Sequence, residues 1–291
     1  MWAMRIVHES TLYEYDKGNC FVTLTYDEDR MPVDRSLVPW HFTDFMKRLR
    51  HHKGGDKIRY FQAGEYGRRC RHGFDLDVIK CPGGCRHGRP HHHACLFNVS
   101  FDDLVSYKSD SGVLRYTSSA LADIWSHGFV DVGTLNFESA AYVARYCLKK
   151  VDGPKALEHY LTVLEDGTMV YLEPEYATMS RGYTCPEHKG VPYQPDCPKC
   201  SRGIGADWYE RYSEDVFPHD SVPIPGVGVL RKVPRFYEER FKESDPDMLD
   251  RVKDIRKAFR KAHAEEYTPE RLHDKYRVKK AQVAMLKRSV S

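Results

Sequence analysis

The 291-residue chain has no apolar run long enough to span a bilayer, and its first residues, Met1-Trp2-Ala3-Met4-Arg5, lack a signal-peptide pattern. These absences exclude a membrane partner and predict a protein that stays where it is made, in the cytoplasm. The sequence also lacks an excess of one charge. Its 45 Lys and Arg against 42 Asp and Glu leave a net +3, too little to argue by itself for a nucleic-acid partner. Only the end of the chain departs from this mixture: Arg271 to Arg288 is rich in Lys and Arg and poor in acid. A disulfide framework is disfavoured as well, because the nine cysteines are odd in number and cluster with histidines, as thiols and metal ligands do in a reducing compartment. With 41% apolar residues the chain can still bury a full core, expected as one catalytic domain with appendages.

Two short stretches carry the chemistry. In Pro90-His91-His92-His93-Ala94-Cys95-Leu96-Phe97 the apolar run that follows the histidines predicts a strand. Alternate residues of a strand share a face, so His91 and His93 point one way and His92 the other, which makes half of a metal site. In Ala141-Tyr142-Val143-Ala144-Arg145-Tyr146-Cys147-Leu148-Lys149-Lys150 the helical spacing stacks Tyr142 and Tyr146 on one face, with Lys149 a turn further on. Two phenols and an ammonium on one stripe near a metal suggest phosphoryl transfer by tyrosine. A cation polarises a phosphodiester oxygen, and two imidazoles with a carboxylate leave coordination positions open for it. Glu65 is the favoured third ligand, at the end of the strand expected beside the histidines; Asp27 and Asp131 are the alternatives. Mg²⁺ or Mn²⁺ suits such a set, imidazole tilting affinity toward Mn²⁺.

The remaining periodicities give the frame. Asn19 to Asp27 is rich in β-branched and aromatic residues and predicts a strand. Pro39 opens a helix in which Phe42, Phe45, Met46 and Leu49 recur at helical spacing. Ile58 to Ala63 forms a second strand ending at Gly64-Glu65-Tyr66-Gly67, and the histidine strand is the third. Ser118 to Trp125 is a helix stopped by Gly128, Phe129 to Val132 a fourth strand, and Asn136 caps the tyrosine helix. This order of elements predicts an α+β fold of split βαβ type, ferredoxin-like or RRM-like, with an antiparallel sheet and helices on one face. Residues 10–155 would form this domain, 156–230 an extension with a Cys/His insert, and 231–291 a helical basic region. Helices are expected there over 247–261 and 269–287, the basic one offering a surface to DNA or a host replication protein.

Taken together, Phe21-Val22-Thr23-Leu24-Thr25-Tyr26-Asp27, Gly64-Glu65-Tyr66-Gly67, Arg89-Pro90-His91-His92-His93-Ala94 and Tyr142-Val143-Ala144-Arg145-Tyr146-Cys147-Leu148-Lys149 resemble, in order and spacing, the motif regions of HUH endonucleases. Within them the chain is most similar to the rolling-circle replication initiators of small circular single-stranded DNA bacteriophages, the gokushovirus branch of the microviruses. Tyr176-Ala177-Thr178-Met179-Ser180-Arg181 and Pro234-Arg235-Phe236-Tyr237 extend that likeness over most of the chain. The resemblance implies a metal-dependent nickase that acts on single-stranded origin DNA, forms a 5′-phosphotyrosine, frees a 3′-OH primer and later rejoins the circle. It assigns Tyr142 and Tyr146 as nucleophiles and Lys149 to the scissile phosphate, with host helicase and polymerase as partners in the bacterial cytoplasm. Arg145 and Lys150, on other helix faces, would grip backbone phosphate. One residue departs from the family pattern: the bulky apolar position between the two ligating histidines is His92, whose burial without a partner would cost about 1–3 kcal/mol.

Cys185-Pro186-Glu187-His188 and Cys197-Pro198-Lys199-Cys200 form two short knuckles around a loop, a spacing suited to tetrahedral zinc, and read as an inserted hairpin. Cys70, Cys81 and Cys85, with His72 and His87 nearby, form a looser second cluster in the polar excursion from Arg68 to Arg89, with its four-ligand set open. Three other readings compete with the initiator. A histidine-triad hydrolase needs a third alternate histidine, and position 95 is cysteine. A non-catalytic nucleic-acid-binding module would need stacking platforms and no metal triad. A single-tyrosine relaxase or transposase is disfavoured by the tyrosine pair.

Overall fold

The computed structural model describes residues 1–14, 17–76, 78–108, 114–149, 151–164, 166–191, 197, 200–230 and 232–285, without the side chains of 146–149 and 283–285. The chain opens with a helix that the sequence pattern did not predict, α1 (Trp2–Thr11), whose Ala3, Met4, Ile6 and Val7 are buried at helical spacing. β1 (Asn19–Tyr26) follows as expected. α2 (Pro39–His52) starts on Pro39 and buries Phe42, Phe45, Met46 and Leu49. β2 (Arg59–Tyr66) and β3 (Pro90–Phe97) pair antiparallel along their whole length, Arg59 opposite Phe97 and Tyr66 opposite Pro90. β2 therefore runs three residues past its expected end and carries Glu65 within the ladder.

The stretch read as a connector contains a hairpin instead, β4 (Leu104–Lys108) and β5 (Leu114–Ser118), with exposed residues throughout β4. Ser118 caps α3 (Ser119–Trp125) by accepting the Leu121 N–H. That helix ends on Ser126 in the left-handed region, two residues before the expected stop. Gly128 instead begins β6 (Gly128–Gly133), at a point where a Cβ would meet the Asp27 nitrogen at 2.2 Å. α4 (Phe137–Lys149), the tyrosine helix, is capped as expected, the Ser139 N–H donating to Asn136 Oδ1 at 2.9 Å.

Beyond it lie α5 (Pro154–His159), the short hairpin β7 (Leu161–Val163) and β8 (Met169–Tyr171), β9 (Tyr176–Met179) and α6 (Ala206–Val216). A second short hairpin, β10 (Val222–Ile224) and β11 (Gly228–Leu230), leads to α7 (Arg235–Ser244), α8 (Pro246–Ala262) and α9 (Pro269–Met285). α8 and α9 lie where helices were expected, and residues 286 and 287 fall outside the described residues.

The seven-stranded sheet is antiparallel at every pairing, in the order β4-β5-β6-β1-β3-β2-β9. The fold is α+β. Period two sorts its side chains into two cores. Val22, Leu24, Tyr26, Ala94, Leu96, Val130 and Val132 pack with α2 and α3 on one face. Phe21, Phe61, Ala63, Cys95 and Phe97 pack with α1, α4, α6, α7 and α8 on the other. The expectation of helices on one face is thus corrected: two helices cannot cover both apolar faces of so long a sheet, and the second is closed from both chain ends. That core draws on residues from Ala3 to Val252, so the three expected spans meet within it. Among the described residues no helix is long and apolar enough to cross a membrane.

Candidate active site

The register of three strands builds the site. Glu65 stands opposite His91 on the β2–β3 ladder, Ala63 opposite His93, and Thr23 of β1 opposite His93 from the other side. These side chains share the face covered by α4. Glu65 Oε1 lies 2.8 Å from His91 Nε2 and 2.8 Å from His93 Nε2. The far nitrogens are held as well: His91 Nδ1 is 3.0 Å from the Arg89 carbonyl, and His93 Nδ1 is 2.9 Å from Thr23 Oγ1. Both rings are thereby oriented with Nε2 toward the carboxylate.

Electrostatics follow from this contact. Burial alone would raise the Glu65 carboxyl, but the adjacent His91 and His93 outweigh it and hold it at about 2. Burial lowers His91, and the Glu65 carboxylate reverses that and leaves it above the ordinary imidazole value. Six-coordinate bonds of about 2.1 Å place neighbouring ligand atoms about 3.0 Å apart, close to the spacing found here. The three groups therefore fit a hard-to-borderline divalent ion. The two alternatives do not join them: Asp27 pairs with Arg30 at 2.5 Å, and Asp131 pairs with Arg115.

Tyr142 comes down onto this set from α4. Its hydroxyl is 3.3 Å from Glu65 Oε1 and 3.2 Å from His93 Nε2, and its ring meets the His93 ring edge-on at 4.9 Å. Arg145 folds back along the helix, its Nε donating to the Ala141 carbonyl and its guanidinium lying 5.5 Å from the Tyr142 ring. Tyr146 and Lys149 belong to the same helix, but their side chains, and the whole of Lys150, lie outside the described residues. Glu65, His91 and Tyr142 open into a groove of 1090 Å³.

His92 points to the opposite face, fully buried, with the Tyr26 and Tyr176 hydroxyls each 3.4 Å from one ring nitrogen. Burial first, and the neighbouring imidazoles after it, lower His92 to about 3, so it is neutral and stays out of the ligand set.

Both cysteine clusters assemble. Cys185, His188, Cys197 and Cys200 bring one ligand atom each within 4.8 Å of one another. Cys185 Sγ is 3.3 Å from His188 Nδ1, 3.7 Å from Cys200 Sγ and 3.9 Å from Cys197 Sγ. Tetrahedral zinc sets sulfurs about 3.8 Å apart and sulfur to nitrogen about 3.6 Å, so the set fits. Tyr183 and Ser201 pair at its base, closing the hairpin. In the second cluster the fourth ligand atom comes from His72, whose Nδ1 is 3.2 Å from Cys81 Sγ and 3.4 Å from Cys85 Sγ. His87 lies elsewhere, stacked on Tyr160 and edge-on to Tyr66. The short Cys70-Arg71-His72 spacing was the signal that could have separated the two histidines.

Residues 19–151 match the model of a family described as replication-associated protein of the ORF2 type. The chain is 30% identical over 254 residues to replication-associated protein VP4 of Bdellovibrio phage phiMH2K, covering 84% of this chain and 64% of that protein. It is 29% identical over 257 residues to replication-associated protein ORF2 of Spiroplasma virus 4, covering 84% and 65%. Over 143 residues it is 32% identical to replication-associated protein ORF4 of Chlamydia phage 1, covering 45% and 31%. The chain therefore spans a little under two thirds of the first two relatives' length. No solved structure matches it. These matches show the resemblance drawn from the motifs: the chain is a relative of the phage replication-associated proteins.

Proposed function

We propose that the chain initiates rolling-circle replication by nicking single-stranded DNA at an origin, with Tyr142 and Tyr146 as nucleophiles. The observation that carries this reading is the placement of the Tyr142 hydroxyl beside Glu65 Oε1 and His93 Nε2 at the head of an open groove. The order β6-β1-β3-β2, with α2 and α3 on one face and α4 on the other, supports an HUH endonuclease fold of split βαβ type. Its relatives' names support the role in phage replication.

Glu65, His91 and His93 would hold a Mg²⁺ or Mn²⁺ ion, which supplies Lewis-acid polarisation of the scissile phosphate. The residues do the rest. The groove receives the strand, and Tyr142 presents its oxygen from a helix packed rigidly on the sheet. Attack of that oxygen on phosphorus forms the O–P bond and expels the 3′ oxygen, leaving a 5′-phosphotyrosine and a 3′-OH primer. Lys149, a turn beyond Tyr146, would steady the phosphate. With the first tyrosine occupied, the second can cleave the completed copy, and the freed 3′-OH rejoins the circle. Cys185, His188, Cys197 and Cys200 would hold a structural zinc. The host bacterial cytoplasm, helicase and polymerase complete the setting.

The test is incubation with labelled single-stranded origin DNA and Mn²⁺, read on a denaturing gel. Covalent adduct is expected with the wild type and with at least one single Tyr→Phe variant, and none with Tyr142→Phe/Tyr146→Phe of intact circular dichroism. Adduct in the double variant would place the nucleophile elsewhere.

A further inference from the structure

The excursion between β2 and β3 leaves the sheet two residues after Glu65 and returns two residues before His91. Its stem continues the ladder: the Gly67 N–H donates to the Arg89 carbonyl at 2.9 Å and the Gly88 N–H to the Gly67 carbonyl at 3.0 Å. The two chains are so close that a Cβ on Gly88 would lie 2.2 Å from the Gly67 oxygen, which explains the glycine. Past the stem the loop has little to hold it by burial. Val78 and Ile79 are exposed, and none of its residues joins the described apolar cores.

What closes the loop is the Cys70, His72, Cys81 and Cys85 set, whose ligand atoms lie within 4.8 Å of one another. Gly83 makes room for the His72 imidazole, since a Cβ there would lie 2.5 Å from the ring. Three thiols and an imidazole form a soft donor set that selects zinc over the oxygen-seeking ions. A loop without its own core gains its order from such an ion.

The closed loop supplies one wall of the groove. Arg68, Arg69, Arg71, Arg86 and Arg89 line it, and Arg35 adds to them from outside the loop. Against them stand Glu65, committed to the two histidines, and the lining acids Asp75 and Glu175. Arg86 also reaches across, donating to the Glu158 carbonyl at 2.7 Å, and ties the loop to α5 on the far wall. Guanidinium groups in a row match successive phosphates by paired hydrogen bonds.

We propose that Cys70, His72, Cys81 and Cys85 bind one zinc ion that locks the 68–89 loop as a clasp, and that its arginines grip the backbone of single-stranded DNA leading to Tyr142. The proposal rests on the reading above, and it adds a second metal and a path for the strand.

The test uses the full chain carrying Tyr142→Phe and a fluorescent dT20 strand, which reads binding without nicking. Cys81→Ser/Cys85→Ser should contain one zinc fewer per chain by mass spectrometry of the metal and bind dT20 at least tenfold more weakly. Arg69→Ala/Arg86→Ala, which spares the ligands, should keep its zinc, bind roughly tenfold more weakly, and show a salt slope shallower by about 1.4, from two lost phosphate contacts. Equal zinc in the cysteine variant overturns the metal site. An arginine variant with full zinc and unchanged affinity and salt slope overturns the DNA track, whether or not the cysteine variant folds. Absence of adduct with the wild type would refute the nicking reading while leaving the dT20 result to decide the clasp.

Discussion

Acidification should release the first helix, and His8 sets where. The residue is fully buried on α1. Its Nε2 is 2.9 Å from the Pro223 carbonyl, which can only accept, so Nε2 carries the proton. Nδ1 is then free to accept from the Tyr237 hydroxyl, 2.8 Å away. The ring stacks on Trp208 with centroids 3.5 Å apart. A second proton would have to go onto Nδ1 in this enclosed stack. Burial, only partly offset by the Pro223 carbonyl, lowers His8 to about 4.

The sign follows from linkage. The folded value lies below the ordinary 6.5, so the unfolded chain binds more protons between pH 6.5 and about 4. The contribution is complete above pH 6.5 and is lost as the pH falls through that window. It amounts to about 2 kcal/mol between pH 7 and pH 5, and about 3 kcal/mol in all. His8→Leu cannot gain that proton, but it deprives the buried Tyr237 hydroxyl of its partner and should cost about 1–3 kcal/mol at pH 7. Urea unfolding at pH 7 and pH 5 should therefore find the gap between wild type and variant narrowed by about 2 kcal/mol at the lower pH. Parallel loss of stability in the two proteins would refute the reasoning. The consequence reaches the site, because Ala3, Met4, Ile6 and Val7 of α1 share a core with Ala140, Tyr142 and Val143 of α4.

Three further changes probe other contacts. Thr23→Val removes the group that orients His93 and should weaken Mn²⁺ binding by roughly 10–100-fold in a calorimetric titration, with the melting temperature little changed. Arg59 and Glu9 form a buried ion pair at 2.7 Å, so Arg59→Met strands a carboxylate and should cost about 3–5 kcal/mol in urea unfolding; Glu9→Gln in the same chain should restore part of it. Cys197→Ser/Cys200→Ser should lose one zinc per chain, and retention of that zinc would refute the knuckle assignment.

Local pattern carried much of this structure. Strand alternation separated His91 and His93 from His92, and the same alternation explains the two cores. Helical spacing gave α2, and an Asn136 cap fixed the start of α4. What escaped was decided at long range. α1 is short and begins at the chain terminus, and its burial depends on α6, α7 and β10, some 200 residues later. Glu65 reads locally as a turn acid beside glycine; only the pairing with β3 draws it into the strand. The choice of His72 over His87 was likewise set by how the loop folds back, and spacing alone left both open.

His92 shows how a departure from a family pattern is absorbed. Tyr26 and Tyr176 flank the ring, and Tyr176 can approach only because residue 64 is glycine: a Cβ there would lie 2.6 Å from the Tyr176 ring. The glycine beside Glu65 thus serves the face opposite the metal ligands. If His92 and Tyr176 are partners across β3, β2 and β9, their substitutions must couple. In a double-mutant cycle with His92→Leu and Tyr176→Phe, urea unfolding at pH 7.5 should give a coupling of about 0.5–1 kcal/mol, the worth of one long, neutral hydrogen bond. Tyr26 keeps His41 at 3.0 Å and should add little when His92 is replaced. Additive effects would mean that His92 is held by packing alone, and the polar residue would then need another explanation than its two hydroxyl neighbours.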